Sequence, residues 1–166
     1  MSDAALATAV RALEARLALL EDHEAIRTLI ARYGPLADSG NSTALARLWT
    51  EDGEYEVIGF AAARGHTAIA ALIDGAHHRA LMADGCAHLL GPVAVEISGN
   101  TAQARGHSVV FRHGPDGFFV DRVAANRWDL VRTAAGWRVR RRTNALLDGA
   151  AAAQALLAAP NGQPAS

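Results

Sequence analysis

The sequence has 166 residues, a formal net charge of −1 and a single cysteine, Cys86. This length predicts one domain with a substantial core, and the near-neutral charge argues against nucleic acid or an anionic membrane as a partner. One cysteine excludes an intramolecular disulfide framework and a zinc site built from several cysteines. Residues 1–8 lack the segments of a signal peptide and no apolar run has membrane-spanning length, so we expect a cytoplasmic protein.

A first helix is predicted from Ser2 or Asp3, either of which can cap it, to about Leu20. Two heptads are few for a coiled coil, so we expect its apolar stripe to pack against the body of the protein or a sister subunit, in a homodimer or homotrimer. The stripe alternates by four and three positions and consists of Leu6, Val10, Leu13, Leu17 and Leu20.

A second amphipathic helix is predicted over Glu21–Asp38, followed by a stop at Ser39-Gly40-Asn41. Gly34 and Pro35 are expected to loosen its last turn. Asp38 directly follows the apolar stripe, and an aspartate at such a position is solvated unless it finds a partner. The stripe consists of Ile26, Leu29, Ile30, Tyr33 and Ala37.

The remaining elements change in period from helix to strand. A third helix capped by Asn41-Ser42, a strand over Glu54–Phe60 and a short helix over Thr67–Ile73 come first. From Cys86 the apolar period is two, and the first strand changes parity at Gly91-Pro92, as a β-bulge would. The strands of this antiparallel meander are Cys86–Ile97, Thr101–Phe111, Phe118–Arg132 and Trp137–Leu146.

This order predicts an α+β fold in which N-terminal helices pack in a strongly curved antiparallel or mixed sheet. A cone-shaped cavity between the helices and the sheet is a usual place for a small-molecule site. We expect a single domain over residues 1–148, with residues 1–20 as a helical extension. Residues 149–166 are expected to form a C-terminal helix and a disordered tail.

His88 and His107 lie inside predicted strands, where a buried imidazole needs a hydrogen-bond partner. Such residues are often satisfied core histidines, but Asp38 offers a carboxylate for His88. An Asp–His pair in an apolar cavity fixes the imidazole tautomer and stabilises its charged form, which favours a general base. Cys86 shares the strand face of His88, although an apolar-flanked cysteine more often belongs to the core.

Other chemistries lack support in the sequence. There is no glycine-rich phosphate loop, no Gly-x-Ser-x-Gly and no His-Glu-x-x-His motif. The adjacent His77 and His78 diverge on a helix and have no carboxylate-rich partner motif, so we expect no metal site.

Three segments resemble the SnoaL-like (polyketide cyclase-like) family of the nuclear transport factor two-like, or ketosteroid isomerase-like, superfamily. They are LEDHEAIRTLIARYGPLAD with the following Trp49, then CAHLLG, and NRWDLVRTAAGWRVRRRT, and the resemblance extends over about residues 18–148. It implies a cone-shaped α+β barrel. The members that look nearest are scytalone dehydratase, bile-acid 7α-dehydratase and hexachlorocyclohexane dehydrochlorinase, which are lyases with an Asp–His dyad.

The resemblance implies roles for six residues. Asp38 and His88 match the dyad, and the residues that match substrate-binding or supporting positions are Tyr33, Tyr55, His107 and Arg142. Scytalone dehydratase has a second tyrosine just before its aspartate, where this chain has Ala37. If Trp137 marks the core side of the last strand, Arg141 points inward, so the assignment of Arg142 requires a bulge there.

Two functions follow. In the first, the protein is a lyase or isomerase that needs no metal or organic cofactor, and its Asp38–His88 dyad abstracts a proton from a small hydrophobic cyclic or aromatic ligand. In the alternative, it is a non-catalytic small-molecule-binding or assembly module that resembles the β subunit of a ring-hydroxylating dioxygenase. The dyad favours the first, and the leucine stripe of the N-terminal helix favours assembly.

Overall fold

The structure is a computed structural model that describes residues 2–158. Its first helix, α1 (Asp3–Ala31), joins the two predicted helices into one. The helix ends at Ala31 because Pro35 has no N–H to donate to the Ala31 carbonyl and its ring crowds that group. After Arg32 a short helix, α2 (Tyr33–Asp38), carries the chain to the predicted stop.

The elements that follow agree in type with most of the prediction. Strand β2 and helix α5 were not predicted, and β1 begins at Trp49 rather than Glu54. In chain order they are α3 (Ser42–Ala46), β1 (Trp49–Val57), β2 (Ala61–Arg64), α4 (Gly65–Asp74), α5 (Ala76–Asp84), β3 (Cys86–Ser98), β4 (Thr101–Gly114), β5 (Gly117–Thr133), β6 (Gly136–Leu146) and α6 (Ala151–Leu157).

Within residues 2–158 the strands form one six-stranded sheet of order β2-β1-β6-β5-β4-β3. Strands β3 to β6 are the predicted antiparallel meander. β1 pairs with β6 in parallel, and β2 pairs with β1 at the edge. The α+β fold is therefore confirmed, with the helices packed against a curved sheet that does not close into a barrel.

The sheet changes parity at two places that matter for the cavity. In β3 the register with β4 shifts between Leu90 and Val93, at the predicted Gly91-Pro92 bulge. Between Asp129 and Leu130 of β5 the register with β6 shifts, and Arg140 is the extra residue in β6. Each shift turns the residues beyond it to the other face, so a strict alternation does not predict which side chains point inward.

The core lies between α1, α2 and the concave face of the sheet. The predicted stripe of the second helix is buried there in full, together with Trp49 and Trp128. Asp22 attaches α1 to strands β5 and β6. Its carboxylate accepts hydrogen bonds from Arg132 Nη1 at 2.7 Å and from Trp137 Nε1 at 3.0 Å. On the convex face, α6 covers Ala125 and Ala145 with its own Ala153.

Residues 3–20 of α1, the arm, project from this body. Its apolar stripe from Leu6 to Leu20 does not pack against the rest of residues 2–158, and the residues of that stripe are 43–66% exposed. No helix among residues 2–158 has the length and hydropathy needed to cross a membrane. The predicted tail lies outside the described residues, and the division into domain and extensions stays a prediction.

Candidate active site

Helix α2 lies directly against strand β3, and Gly34 makes this approach possible. A Cβ atom built on Gly34 would lie 2.1 Å from the carbonyl oxygen of His88, a distance that real contacts do not reach. The sequence suggested that Gly34 loosens the helix. Its role in the structure is a close contact between helix and strand, which sets the distance between Asp38 and His88.

Asp38 and His88 form a hydrogen-bonded pair. Asp38 Oδ1 accepts from His88 Nδ1 at 2.6 Å, and Asp38 Oδ2 accepts from the His88 backbone N–H at 2.8 Å. The His88 side chain is 8% exposed and that of Asp38 25%. Because the carboxylate accepts from Nδ1, the neutral ring carries its lone pair on Nε2, on the far side from Asp38.

Asp38 is held in its charged form. Burial alone would raise its pKa, but the hydrogen bonds from the side chain and backbone of His88 outweigh that effect and lower the pKa below its usual value. The thiol of Cys86 adds a third, longer hydrogen bond to Asp38 Oδ1 at 3.5 Å. Burial, followed by the charge of Asp38, raises the pKa of Cys86 to about 11, so this thiol is a donor and not a nucleophile at neutral pH.

His78, on α5, packs beside the pair and also lines the neighbouring cavity. Its Nε2 donates to the Ala37 carbonyl at 2.9 Å, and its ring centroid lies 5.2 Å from that of His88. Burial lowers the pKa of His78. A neutral ring there adds no charge next to His88, and it fixes the end of α2 that carries Asp38.

A cavity of about 630 Å³ opens beside His88, between the concave face of the sheet and helices α4 and α5. This volume falls within the range of about 300–1,000 Å³ that is typical of small-molecule sites. Most of its wall is apolar or aromatic, including Phe60, Leu72, Leu90 and Val110. The polar residues of the wall are Tyr33, Tyr55, His77, His78, His88, Ser108, Arg122, Arg142 and Asn144.

Arg142 is the most deeply buried charge of this wall, with 2% of its surface exposed. Its Nε and Nη2 donate to Asn126 Oδ1 at 3.0 and 2.7 Å, and Asn126 in turn donates to Ser108 Oγ at 2.9 Å. The Arg142 guanidinium carbon lies 4.1–4.7 Å from the ring centroids of Tyr33, Tyr55 and Trp128. These aromatic faces stabilise the cation.

One nitrogen of Arg142 is left over. Among residues 2–158, Nη1 of Arg142 is buried and has no hydrogen-bond partner. A buried donor on a charged group is costly unless it is satisfied. Nη1 has almost no accessible surface, so an oxygen of a ligand in the cavity can reach it only when a neighbouring side chain moves aside.

Two tyrosines connect this arginine to the dyad. The hydroxyls of Tyr33 and Tyr55 lie 3.3 Å apart, and the ring of Tyr33 also packs edge-on to His88 with a centroid separation of 6.4 Å. Burial raises the pKa of Tyr55, although the charge of Arg142 acts in the opposite direction. Tyr55 is therefore a neutral phenol, able to donate a hydrogen bond.

The family model of the SnoaL-like domain matches residues 18–143, most of the chain. The chain belongs to the SnoaL-like family. An NTF2-like protein with a cystatin-like fold from Novosphingobium aromaticivorans is 68% identical, covers 88% of this chain and 95% of its own, and has a TM-score of 0.87. No curated protein matches the sequence.

Two further solved structures from Novosphingobium aromaticivorans extend this comparison. A candidate aromatic ring hydroxylase is 28% identical, with 77% of this chain and 90% of its own covered and a TM-score of 0.61. A candidate scytalone dehydratase is 18% identical, with 76% and 85% covered and a TM-score of 0.65, and shows a shared fold only.

The structure brings five of the six residues suggested by the SnoaL-like resemblance to one cavity. Tyr33, Tyr55, His88 and Arg142 line it, and Asp38 lies behind His88. The bulge in β6 is what turns Arg142 inward.

The alternation of side chains along the strands places both Arg141 and His107 outside the cavity. Arg141 lies outside the cavity, where it pairs with Glu56 at 2.7 Å. His107 is also exposed on the outer face of β4, and its neighbour Ser108 faces the cavity instead. The expectation for His107 is wrong by one position, because the strand alternates and no bulge precedes it within β4.

Sequence patterns did not predict Arg122, Asn126 and Ser108 as residues of the site. Arg122 and Asn126 are spaced by two from Ala124 on β5, and Ser108 by two from Val110 on β4, and this spacing was the only signal available. A three-residue grouping of metal-ligand type was not predicted either, because Asp38 lies 48 residues before Cys86 in the sequence. Asp38, Cys86 and His88 offer three ligand atoms within 4.8 Å of one another, the one such grouping in the described part of the chain.

Proposed function

We propose that this SnoaL-like protein is a cofactor-independent lyase or isomerase that acts on a small hydrophobic cyclic substrate. The observation that carries the proposal is the 2.6 Å hydrogen bond between Asp38 Oδ1 and His88 Nδ1 at the wall of the cavity. A non-catalytic binding pocket has no need of an ionised aspartate behind a histidine. Such a pair is the usual arrangement for an imidazole that serves as a general base.

The proposed reaction begins when Nε2 of His88 removes a proton from a carbon of the substrate. The C–H bond breaks, the proton stays on Nε2, and Asp38 stabilises the imidazolium that results. The electron pair moves into the substrate, either onto a carbonyl oxygen or into a new double bond as a hydroxide or halide leaves. In an isomerisation, the proton returns from Nε2 to a different carbon.

Arg142 and Tyr55 are the proposed stabilisers of the developing charge. Arg142 brings the positive charge of its guanidinium to the cavity wall, and Tyr55, a neutral phenol, lines the same cavity. Preorganised donors of this kind lower the barrier because they need no rearrangement during the reaction. Tyr33 packs against both Arg142 and His88, so it keeps base and donor at a fixed separation.

Proton abstraction is testable without knowledge of the natural substrate. Cyclic ketones, phenolics and steroids are incubated in D₂O, and loss of the C–H signal is followed by NMR. We expect exchange with the parent and a loss of about 10²–10⁴-fold in His88→Ala, the usual contribution of a general base. Asp38→Asn is expected to lose most of the exchange as well.

His107→Ala is the matched control, because His107 is a histidine on the outer face of the neighbouring strand. It should exchange protons at the parent rate. If His88→Ala and Asp38→Asn retain the exchange that the parent catalyses, the dyad is structural and the proposal fails.

One observation favours a second candidate, a role in assembly. The arm exposes a stripe of five apolar side chains that nothing within residues 2–158 covers. On a heptad with Leu13 and Leu17 at the core positions, Arg16 and Glu21 flank the stripe at a spacing that pairs oppositely charged side chains between two parallel helices. We therefore propose a second copy of this chain as the partner of the arm, in a homo-oligomer.

A further inference from the structure

Arg122 is a cation of the cavity wall that the proposed mechanism leaves unused. It lies on β5 opposite Val110 of β4. Its Nη1 donates to Asp121 Oδ2 at 2.8 Å, and its Nη2 lies 3.4 Å from His88 Nε2. The Arg122 side chain is 30% exposed, so its guanidinium is neither buried in the core nor free in solvent.

In the contact between Arg122 and His88, the arginine is the donor and the imidazole is the acceptor. A guanidinium carries only donors, so Arg122 donates to the lone pair of Nε2. His88 Nδ1 is already bonded to Asp38. The lone pair that Arg122 covers is thus the one with which His88 would take a proton from carbon.

The hydrogen bond from Arg122 Nη2 to His88 Nε2 is weak and can be replaced by a better acceptor. A distance of 3.4 Å is long for a hydrogen bond. A carboxylate is a far stronger acceptor for a guanidinium than a neutral imidazole, and its two oxygens match the planar guanidinium fork. Asp121 keeps hold of Nη1, so a ligand carboxylate can draw Nη2 away from His88 while the side chain stays in position.

We propose that the cavity takes a cyclic substrate that carries a carboxylate, which binds Arg122 and thereby frees Nε2 of His88. This inference rests on the proposed function. The apolar wall receives the ring system, and Arg122 receives the acid group. Arg142 is the less suitable partner for the acid group, because Asn126 already occupies its Nε and Nη2.

The test uses three acids of increasing ring size, each with its neutral amide: benzoate, 2-naphthoate and phenanthrene-9-carboxylate. Binding to the full chain is measured by isothermal titration calorimetry. For at least one pair we expect the acid to bind about tenfold or more tightly than the amide, as a charge-assisted hydrogen bond predicts. Arg122→Gln should remove this preference and leave binding of the amide unchanged.

Arg127→Gln is the matched control. Arg127 lies on the same strand and pairs with the nearby Asp129 at 3.1 Å, but it does not line the cavity. It should keep the parent preference for the acid. Equal affinity within every pair, including no binding by any, or a preference that survives in Arg122→Gln, would overturn the proposal.

A second readout tests the freeing of His88. The ¹⁵N resonance of His88 Nε2 should move when the preferred acid is added to the parent, and it should not move in Arg122→Gln. An unmoved resonance in the parent would refute this part of the inference. Failure of the proposed function looks different: the acid binds through Arg122, yet no compound exchanges a C–H proton in D₂O.

Discussion

Replacement of Gly34 by alanine tests the close approach on which the candidate site depends. The new Cβ would lie 2.1 Å from the His88 carbonyl oxygen, so helix and strand must separate by at least about 0.9 Å to reach an acceptable contact beyond 3.0 Å. Alanine favours a helix over glycine by about 0.8–1 kcal/mol. Extra volume in a packed interior costs about 1–3 kcal/mol, so the free energy of unfolding should fall by up to about 2 kcal/mol once the helix gain is subtracted.

The larger effect is expected on the dyad. Asp38 is one helical turn beyond Gly34, so a shift of α2 lengthens the 2.6 Å hydrogen bond to His88 Nδ1. A misplacement of about 1 Å can cost about 100-fold in rate. Urea denaturation measures the stability, proton exchange in D₂O measures the rate, and the downfield ¹H resonance of the His88 Nδ1–H reports the hydrogen bond without a substrate.

Gly114→Ala is the control for the same chemical change. Its Cβ would lie 3.2 Å from the ring of Phe119, which is half exposed and can turn aside, and 3.8 Å from the Gly117 carbonyl oxygen, an ordinary van der Waals contact. Gly34→Ala should therefore lose stability, exchange and the downfield resonance, while Gly114→Ala keeps all three. A Gly34→Ala protein with the parent midpoint and the parent resonance would refute the argument that this glycine sets the geometry of the site.

Four further predictions follow from the contacts described. The folded state lowers the pKa of Asp38. The ionised Asp38 therefore stabilises the fold above its unfolded pKa of about 3.9, and this stabilisation is lost as the pH falls through the folded pKa. Asp38→Asn should narrow the difference between the urea midpoints at pH 7 and pH 3. The double variant Leu13→Glu and Leu17→Glu should reduce the mass in light scattering to that of one chain, whereas Ala15→Glu on the opposite face should not. Asn126→Ala should lower the free energy of unfolding by about 3 kcal/mol, because a buried guanidinium loses its acceptor. Proton exchange should survive EDTA, and a loss that Zn²⁺ restores would contradict a metal-free reaction.

Local sequence patterns were sufficient for the fold class and for most of its elements. The stripe from Ile26 to Ala37 identifies the buried face of α1 and α2, because helical periodicity and burial share one cause, the removal of apolar surface from water. The period of two beyond Cys86 identifies the meander in the same way. The prediction failed for α5, whose two adjacent histidines and mixed polarity give no clear periodic signal.

The candidate dyad was predictable for a different reason. Burial of a polar side chain without a hydrogen-bond partner costs free energy. This applies to the histidine among apolar strand residues and to the aspartate at the end of the helix, unless the two side chains meet. This cost, together with the family resemblance, is enough to pair Asp38 with His88 from the sequence. It gives no access to His78 or Arg122, because the packing of α5 on α2 and the pairing of β5 with β4 are what place them next to His88.

The sequence by itself determined the α+β order, the buried helical stripe and the bulge at Gly91-Pro92, because each is a property of neighbouring residues along the chain. Tertiary structure alone decided which polar side chains enter the cavity. One residue of offset sends His107 outward and Ser108 inward, and the bulge in β6 turns Arg142 inward in place of Arg141. Such choices depend on register between strands, which the pairing of the whole sheet fixes.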